Sequence, residues 1–150
     1  MTYQDLIKKG LLKKEPIGLD QVSKIIEKSY QNIKSAKILF KEGFEENGFQ
    51  LTYQAMLLAG RALTFSYGLR PRAAGSHKIV IDFAERILGG QYKVLIRKFN
   101  KMRKKRNYLI YGIGLTVSGT EAKNGLKTAE DFIEKIKEHI QAKNPQKKLF

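Results

Sequence analysis

An all-helical bundle of about five helices in one domain is the fold class that the sequence predicts, and three observations predict it. Apolar residues recur at spacings of three and four in several long segments, which is the pattern of helices with one buried stripe. Glycine, proline and capping residues fall between those segments. No segment shows the alternation of a half-buried strand, and there is no internal repeat.

Residues 2–12 read as a short helix stopped near Gly10, and Pro16 with Gly18 punctuates the chain before a longer helix. Asp20 is the expected cap of that helix, and Val22, Ile26, Ile33, Ala36 and Phe40 mark its buried face up to about Glu42, with Gly43 as the stop. Asn47 is expected to open the next helix, with Leu51, Ala55, Leu58, Ala62 and Phe65 as its stripe. The small residues Ala55, Ala59, Gly60 and Ala62 allow a neighbour to approach closely. Gly68 and Pro71 end that helix, residues 69–75 form a basic loop, and Ser76 caps a helix that runs to about Leu88. Gly89 and Gly90 break the chain before a helix over residues 91–111. Ser118 and Glu121 have the spacing of a capping box at the start of the last helix, whose buried face is Ala122, Leu126, Ala129, Ile133, Ile136 and Ile140. The single domain spans residues 1–150, with residues 1–17 as an N-terminal extension and residues 143–150 as a tail expected to fray.

The chain has no cysteine and two histidines, His77 and His139, so disulfides and thiolate metal sites are excluded and a zinc cluster is not expected. The N-terminal residues lack an apolar block and no apolar run is long enough to span a bilayer, which predicts a cytoplasmic protein without membrane attachment. Formal net charge is +15, and between Asn47 and Thr120 the acids are Asp82 and Glu85 alone, against thirteen arginines and lysines. Such a field attracts phosphate backbones or acidic partners, with an affinity that falls steeply with salt. A solvated surface tuned for solubility has the same composition.

Arg106 stands where the helical pattern calls for an apolar residue. Leu95, Phe99, Met102, Leu109 and Ile113 form one stripe, and position 106 completes it. A guanidinium stays charged at any working pH, so this one needs a carboxylate, a polar cleft or an anionic ligand. An ion pair with Asp82 or Glu85, or a side chain that snorkels out of the seam, would satisfy it structurally; the functional reading is a phosphate-binding arginine. At about 100° per residue, Arg97, Lys101, Lys104 and Tyr108 lie together on the opposite side of the same helix. Basic side chains with an interleaved tyrosine can grip phosphates and stack on a base, and an ordinary surface helix looks alike. His77 reads as a local helix-start contact and His139 as a partner of the helix dipole. Gly112, Gly114 and Gly119 match no nucleotide-loop spacing.

The run Arg106, Asn107, Tyr108, Leu109, Ile110, Tyr111 resembles the signature of HEPN domains, in which an arginine, often followed by asparagine, precedes a histidine by four to six residues. The stretch from Tyr53 to Leu63, followed by Gly68 and then Gly75, Ser76, His77 and Lys78, is similar to the second and third helices of that family, and the resemblance covers about residues 6–140. It implies a helical dimer whose two arginine motifs face a shared cleft, RNA or a nucleotide as ligand, and no cofactor. It also implies a metal-independent endoribonuclease of the toxin type, paired with a nucleotidyltransferase antitoxin. Arg106, Tyr111 and Asn107 are then the catalytic candidates, with Arg97, Lys101, Arg103, Lys104, Lys105 and Tyr108 as nucleic-acid contacts.

The sequence departs from the family signature at Tyr111, which occupies the histidine position. A free phenol titrates near about 10, too high for an efficient proton shuttle at neutral pH. Positions 106 and 111 are also about 140° apart on an ideal helix, so their side chains converge only through arginine's reach, a local distortion or a second subunit. Asn107 and Tyr111, four residues apart, can share a hydrogen bond. A second reading follows from the tyrosine: a catalytically inactive helical interaction module that binds an acidic protein partner, with Arg106 structural.

Overall fold

The computed structural model describes residues 2–112 and 116–150. Ile113 and Gly114, at the end of the expected stripe and of the glycine series, lie outside them. Six α-helices and one pair of short strands follow in the order α1 (Tyr3–Lys8), β1 (Leu12–Lys14), α2 (Leu19–Lys41), α3 (Glu45–Ser66), β2 (Leu69–Pro71), α4 (Ser76–Leu88), α5 (Lys93–Ile110) and α6 (Gly119–Lys143). A 3-10 turn, Gly90–Tyr92, leads into α5. No helix among the described residues is long and apolar enough to cross a membrane.

Helix α3 is the axis of the bundle, and α2, α4, α5 and α6 pack around it. It therefore buries residues on most of its circumference, among them Phe49, Tyr53, Met56, Leu57 and Leu63, where a single stripe was expected. The expected positions Leu51, Leu58 and Phe65 are half-buried. Two hydroxyls inside this helix, on Thr52 and Thr64, donate to the carbonyls of Gly48 and Gly60 one turn back, which satisfies them without water. The amphipathic helices α2 and α6 follow the expected stripes, except that Phe40 and Leu126 sit at the edge of the core.

Several boundaries differ from the sequence expectations. Gly18, in extended conformation, is the cap of α2, while Asp20 lies in its first turn and pairs with Lys147. Helix α3 starts at Glu45, two residues before Asn47, and places Glu45 and Glu46 at the positive end of its dipole. Gly75, at φ 70°, caps α4, so Ser76 is its first residue instead. The first helix stops at Lys8, and Leu12 instead enters a strand paired antiparallel with the start of the expected basic loop, in the register Leu12 to Pro71, Lys13 to Arg70 and Lys14 to Leu69. Burial of Leu12 and Leu69 drives that pairing, and three residues are too few to show an alternation. Ser118 caps α6 with the reciprocal bonds expected: its hydroxyl accepts from the amide of Glu121, and its own amide donates to the Glu121 carboxylate.

The C-terminal tail docks instead of fraying. Gln141 donates to the Lys147 carbonyl and accepts from the Leu149 amide, the Ser23 hydroxyl donates to the Leu149 carbonyl, and Leu149 and Phe150 pack against the core. Backbone and side-chain partners across α2 and α6 thus hold a segment whose composition alone reads as disordered.

The crossing of α3 and α4 depends on Gly60. A Cβ there would lie 2.4 Å from Cγ1 of Val80, a short β-branched group that cannot swing away. Gly60→Ala gains about 1 kcal/mol of helix propensity but forces the two helices apart. A net loss of about 1–3 kcal/mol is expected in urea denaturation.

Candidate anion site

The seam of α5 is built as the spacing requires: Ile96, Phe99, Met102 and Leu109 are buried, and Leu95 packs at their edge. Arg106 extends this series half-buried. Its guanidinium lies 5.9 Å from the centre of the Tyr53 ring, within cation–π range, and donates to the Asn107 side-chain oxygen at 3.3 Å. Neither expected carboxylate meets it. Asp82 is bound by Lys78 at 2.7 Å, and Arg106 has no ion pair among the described residues.

Tyr53 is fully buried on α3, and its hydroxyl shares a hydrogen bond of 3.0 Å with Nδ1 of His77. His77 is therefore tied to α3 and is not a local contact of its own helix start. The two rings lie 5.8 Å apart at an interplanar angle of 34°. Behind them, Phe99 contacts Tyr53 and Phe132 at centroid distances of 5.8 and 4.9 Å, so the floor under the polar groups is aromatic and rigid.

Two more guanidiniums act on this pair. Arg61, two turns along α3 from Tyr53, is half-buried and has no hydrogen bond or ion pair among the described residues. Arg103 on α5 donates to the side-chain oxygen of Asn100 at 3.0 Å. Burial, opposed by the charges of Arg106, Arg103 and Arg61, pushes the Tyr53 phenol up to about 12. Burial and the same three guanidiniums push His77 down to about 4. Burial also lowers the pKa of Arg61 itself. The charges of three arginines thus act on a neutral tyrosine–histidine pair, and none of the three is paired with a carboxylate among the described residues. Guanidiniums supply donors in planar forks that match phosphate or carboxylate oxygens, so the arrangement is chemically suited to an oxyanion.

The structure divides the sequence candidates. Arg97, Lys101, Lys104 and Tyr108 are exposed on the outer side of α5 as expected. Arg103 and Lys105 turn inward: Arg103 joins the cluster, and Lys105 binds the Thr116 carbonyl at 2.8 Å and the Glu121 carboxylate at 3.2 Å. Lys101 and Lys105 line a groove of about 430 Å³ between α5 and α6, floored by Phe49, Leu95 and Met102. Tyr111 ends α5, is 76 % exposed, and is not brought to Arg106 within the protomer. It shares no side-chain bond with Asn107 among the described residues; its backbone amide donates to the Asn107 carbonyl at 3.2 Å. Tyr53, Arg61 and His77 escaped the sequence reading as site residues. The detectable signal was Arg61, a cation within the small and apolar run from Ala55 to Leu63.

His139 is also paired by tertiary structure: its Nε2 shares a 2.9 Å hydrogen bond with the Tyr67 hydroxyl, and Lys143 lies over the Tyr67 ring. Burial and then Lys143 lower its pKa, so helix-dipole stabilisation of an imidazolium does not account for it. Both histidines bind protons more weakly folded than unfolded. Stability is therefore full above the unfolded value near 6.5 and falls as pH drops toward the folded value, about 4 for His77. His77 contributes to this loss, and urea midpoints measured at neutral and acidic pH should show a smaller drop in His77→Gln than in wild type.

A helical bundle with arginines on its central and fifth helices that have no paired carboxylate among the described residues is the class of protein that fold and site define. The chain belongs to the HEPN domain family, whose model matches residues 22–140. No curated protein matches it.

Proposed function

We propose that this HEPN domain binds RNA through its phosphate groups, with Arg106 as the central contact, flanked by Arg61 and Arg103. The single observation that carries the proposal is Arg106, on the apolar side of α5 and half-buried against the Tyr53 ring, with no ion-paired carboxylate among the described residues. Arg97, Lys101, Lys104 and Tyr108 extend the contact along the outer side of α5, where they supply long-range attraction and a stacking surface.

The reading includes metal-independent cleavage of the toxin type, with a nucleotidyltransferase as antitoxin. In that reaction the ribose 2′-oxygen gives its proton to solvent water and attacks phosphorus, the bond to the 5′-oxygen breaks to leave a 2′,3′-cyclic phosphate, Arg106 stabilises the charge that builds on the phosphoryl oxygens, and Asn107 orients the guanidinium. Tyr111 then donates to the leaving oxygen from the second protomer of a homodimer. Ile110 and Tyr111, both exposed at the end of α5, offer the apolar surface for that dimer. A cleavage assay on defined RNAs with chelator present tests the reading. Arg106→Ala should abolish cleavage with the fold intact, and Tyr111→Phe should reduce it.

One observation favours a second reading, the inactive module that binds an acidic protein: a phenol replaces the signature imidazole and stands apart from Arg106 in the protomer. No cleavage, with RNA binding that is weak and insensitive to salt, would select it.

A further inference from the structure

We propose that His77 is a ligand-contacting residue of this site, which takes up a proton as an RNA phosphodiester docks and donates the N–H so gained to a phosphoryl oxygen. The inference rests on the phosphate-binding reading and adds to it the group that handles the proton. His77 and Arg106 approach the same aromatic ring: the imidazole centre lies 5.8 Å, and the guanidinium carbon 5.9 Å, from the centre of Tyr53. The Tyr53 hydroxyl holds Nδ1 and so fixes the plane of the imidazole, while Nε2 has no hydrogen-bond partner among the described residues. Helix α4 thus places an imidazole against the same ring that Arg106 overlies, while the α5 motif carries Tyr111 in the histidine position.

The charges around the ring determine the sign of the coupling. Arg106 overlies the Tyr53 ring from α5, and the charges of Arg61 on α3 and Arg103 on α5 act on the imidazole as well. On α4 itself, Lys78 is occupied by Asp82, and the charges that act most on His77 are those of the three arginines. Three positive charges and burial disfavour a fourth charge, so the free protein holds the ring neutral at physiological pH. A phosphodiester among the guanidiniums offsets their repulsion and adds an attraction of its own, both of which favour the imidazolium. One proton passes from solvent to the imidazole, and the site gains a charged donor only when the ligand is present. The proton count per binding event is therefore positive, and affinity rises as pH falls.

Binding of an oligouridylate that carries a rhodamine label tests this, because neither uridine nor the label gains a proton in the range used. Affinity of the wild type should tighten at least about tenfold from pH 8 to pH 5 at constant salt, and His77→Gln should flatten that dependence. His139→Asn should keep it. The latter variant has one histidine, and its imidazole carbon resonances should shift toward the imidazolium position at neutral pH on addition of the RNA. Arg106→Ala separates the two readings: if it binds RNA as well as wild type does, the phosphate site itself is wrong. If Arg106→Ala weakens binding while the His77 resonances stay at their neutral position, or while His77→Gln retains the full pH dependence, the role of His77 alone is overturned. The resonance measurement needs no substitution at His77, so a folding defect in His77→Gln leaves the test intact.

Discussion

Arg106→Ala should lower RNA affinity about ten- to a hundredfold, the loss expected when one charge-assisted contact of about 1.5–3 kcal/mol is removed. The slope of log affinity against log salt should become shallower by about one. Stability should barely change. The guanidinium is half-buried, has no carboxylate partner among the described residues, and sits near two like charges, so its removal relieves repulsion while it forfeits one cation–π contact of about 0.5–1 kcal/mol. A thermal midpoint within about 2 °C of wild type is the expected accompaniment. An arginine held by a structural ion pair behaves in the opposite way, since its loss strands a buried charge and unfolds the protein.

Phe99→Ala should have the largest effect on the fold, about 3–5 kcal/mol. The ring is fully buried and touches Tyr53 and Phe132, so it links α3, α5 and α6 at the level of the arginine cluster. The cavity removes the floor from under Tyr53, and with it the surface on which Arg106 and His77 converge. For a domain of this size the midpoint should fall by about 10 °C or more. RNA binding measured well below that midpoint should weaken as well, although Phe99 carries no polar atom. Phe99→Leu fills most of the cavity and should recover much of the stability.

The legible parts of the fold are those where one helix face does one thing. Helices α2 and α6 each bury a single stripe, and their positions Val22, Ile26, Ile33, Ala36, Ala129, Ile133, Ile136 and Ile140 lie in the core as the spacing requires. Helix α3 defeats the same rule because neighbours surround it: with four helices around it, Tyr53 and Met56 are as buried as Ala55. The two strands escape because pairing between residues 12–14 and 69–71 is a tertiary event, written in neither segment. The docked tail escapes for the same reason, as its partners Ser23 and Gln141 lie on other elements.

Half of the candidate site was legible. Arg106 stood out because one cation interrupts an apolar series, and a violation of local pattern is what a functional position looks like in sequence. Tyr53, Arg61 and His77 did not stand out together because nothing local joins a tyrosine and a histidine 24 residues apart. Spacing on α5 also suggested a bond between Asn107 and Tyr111, whereas Asn107 turns to Arg106 instead. Helical spacing indicates which side chains can meet; competition for the stronger charged donor decides which do.

Two triple variants of equal net charge test the site most directly. One replaces Arg61, Arg103 and Arg106 with glutamine, and the other replaces the exposed Arg97, Lys101 and Lys104. Measured with the same RNA at the same salt, the first should lose far more affinity than the second, because the cluster holds the phosphate and the outer face only attracts it. Equal losses, or a larger loss in the outer-face variant, would show that RNA follows overall charge and that the arginine cluster is not its binding site.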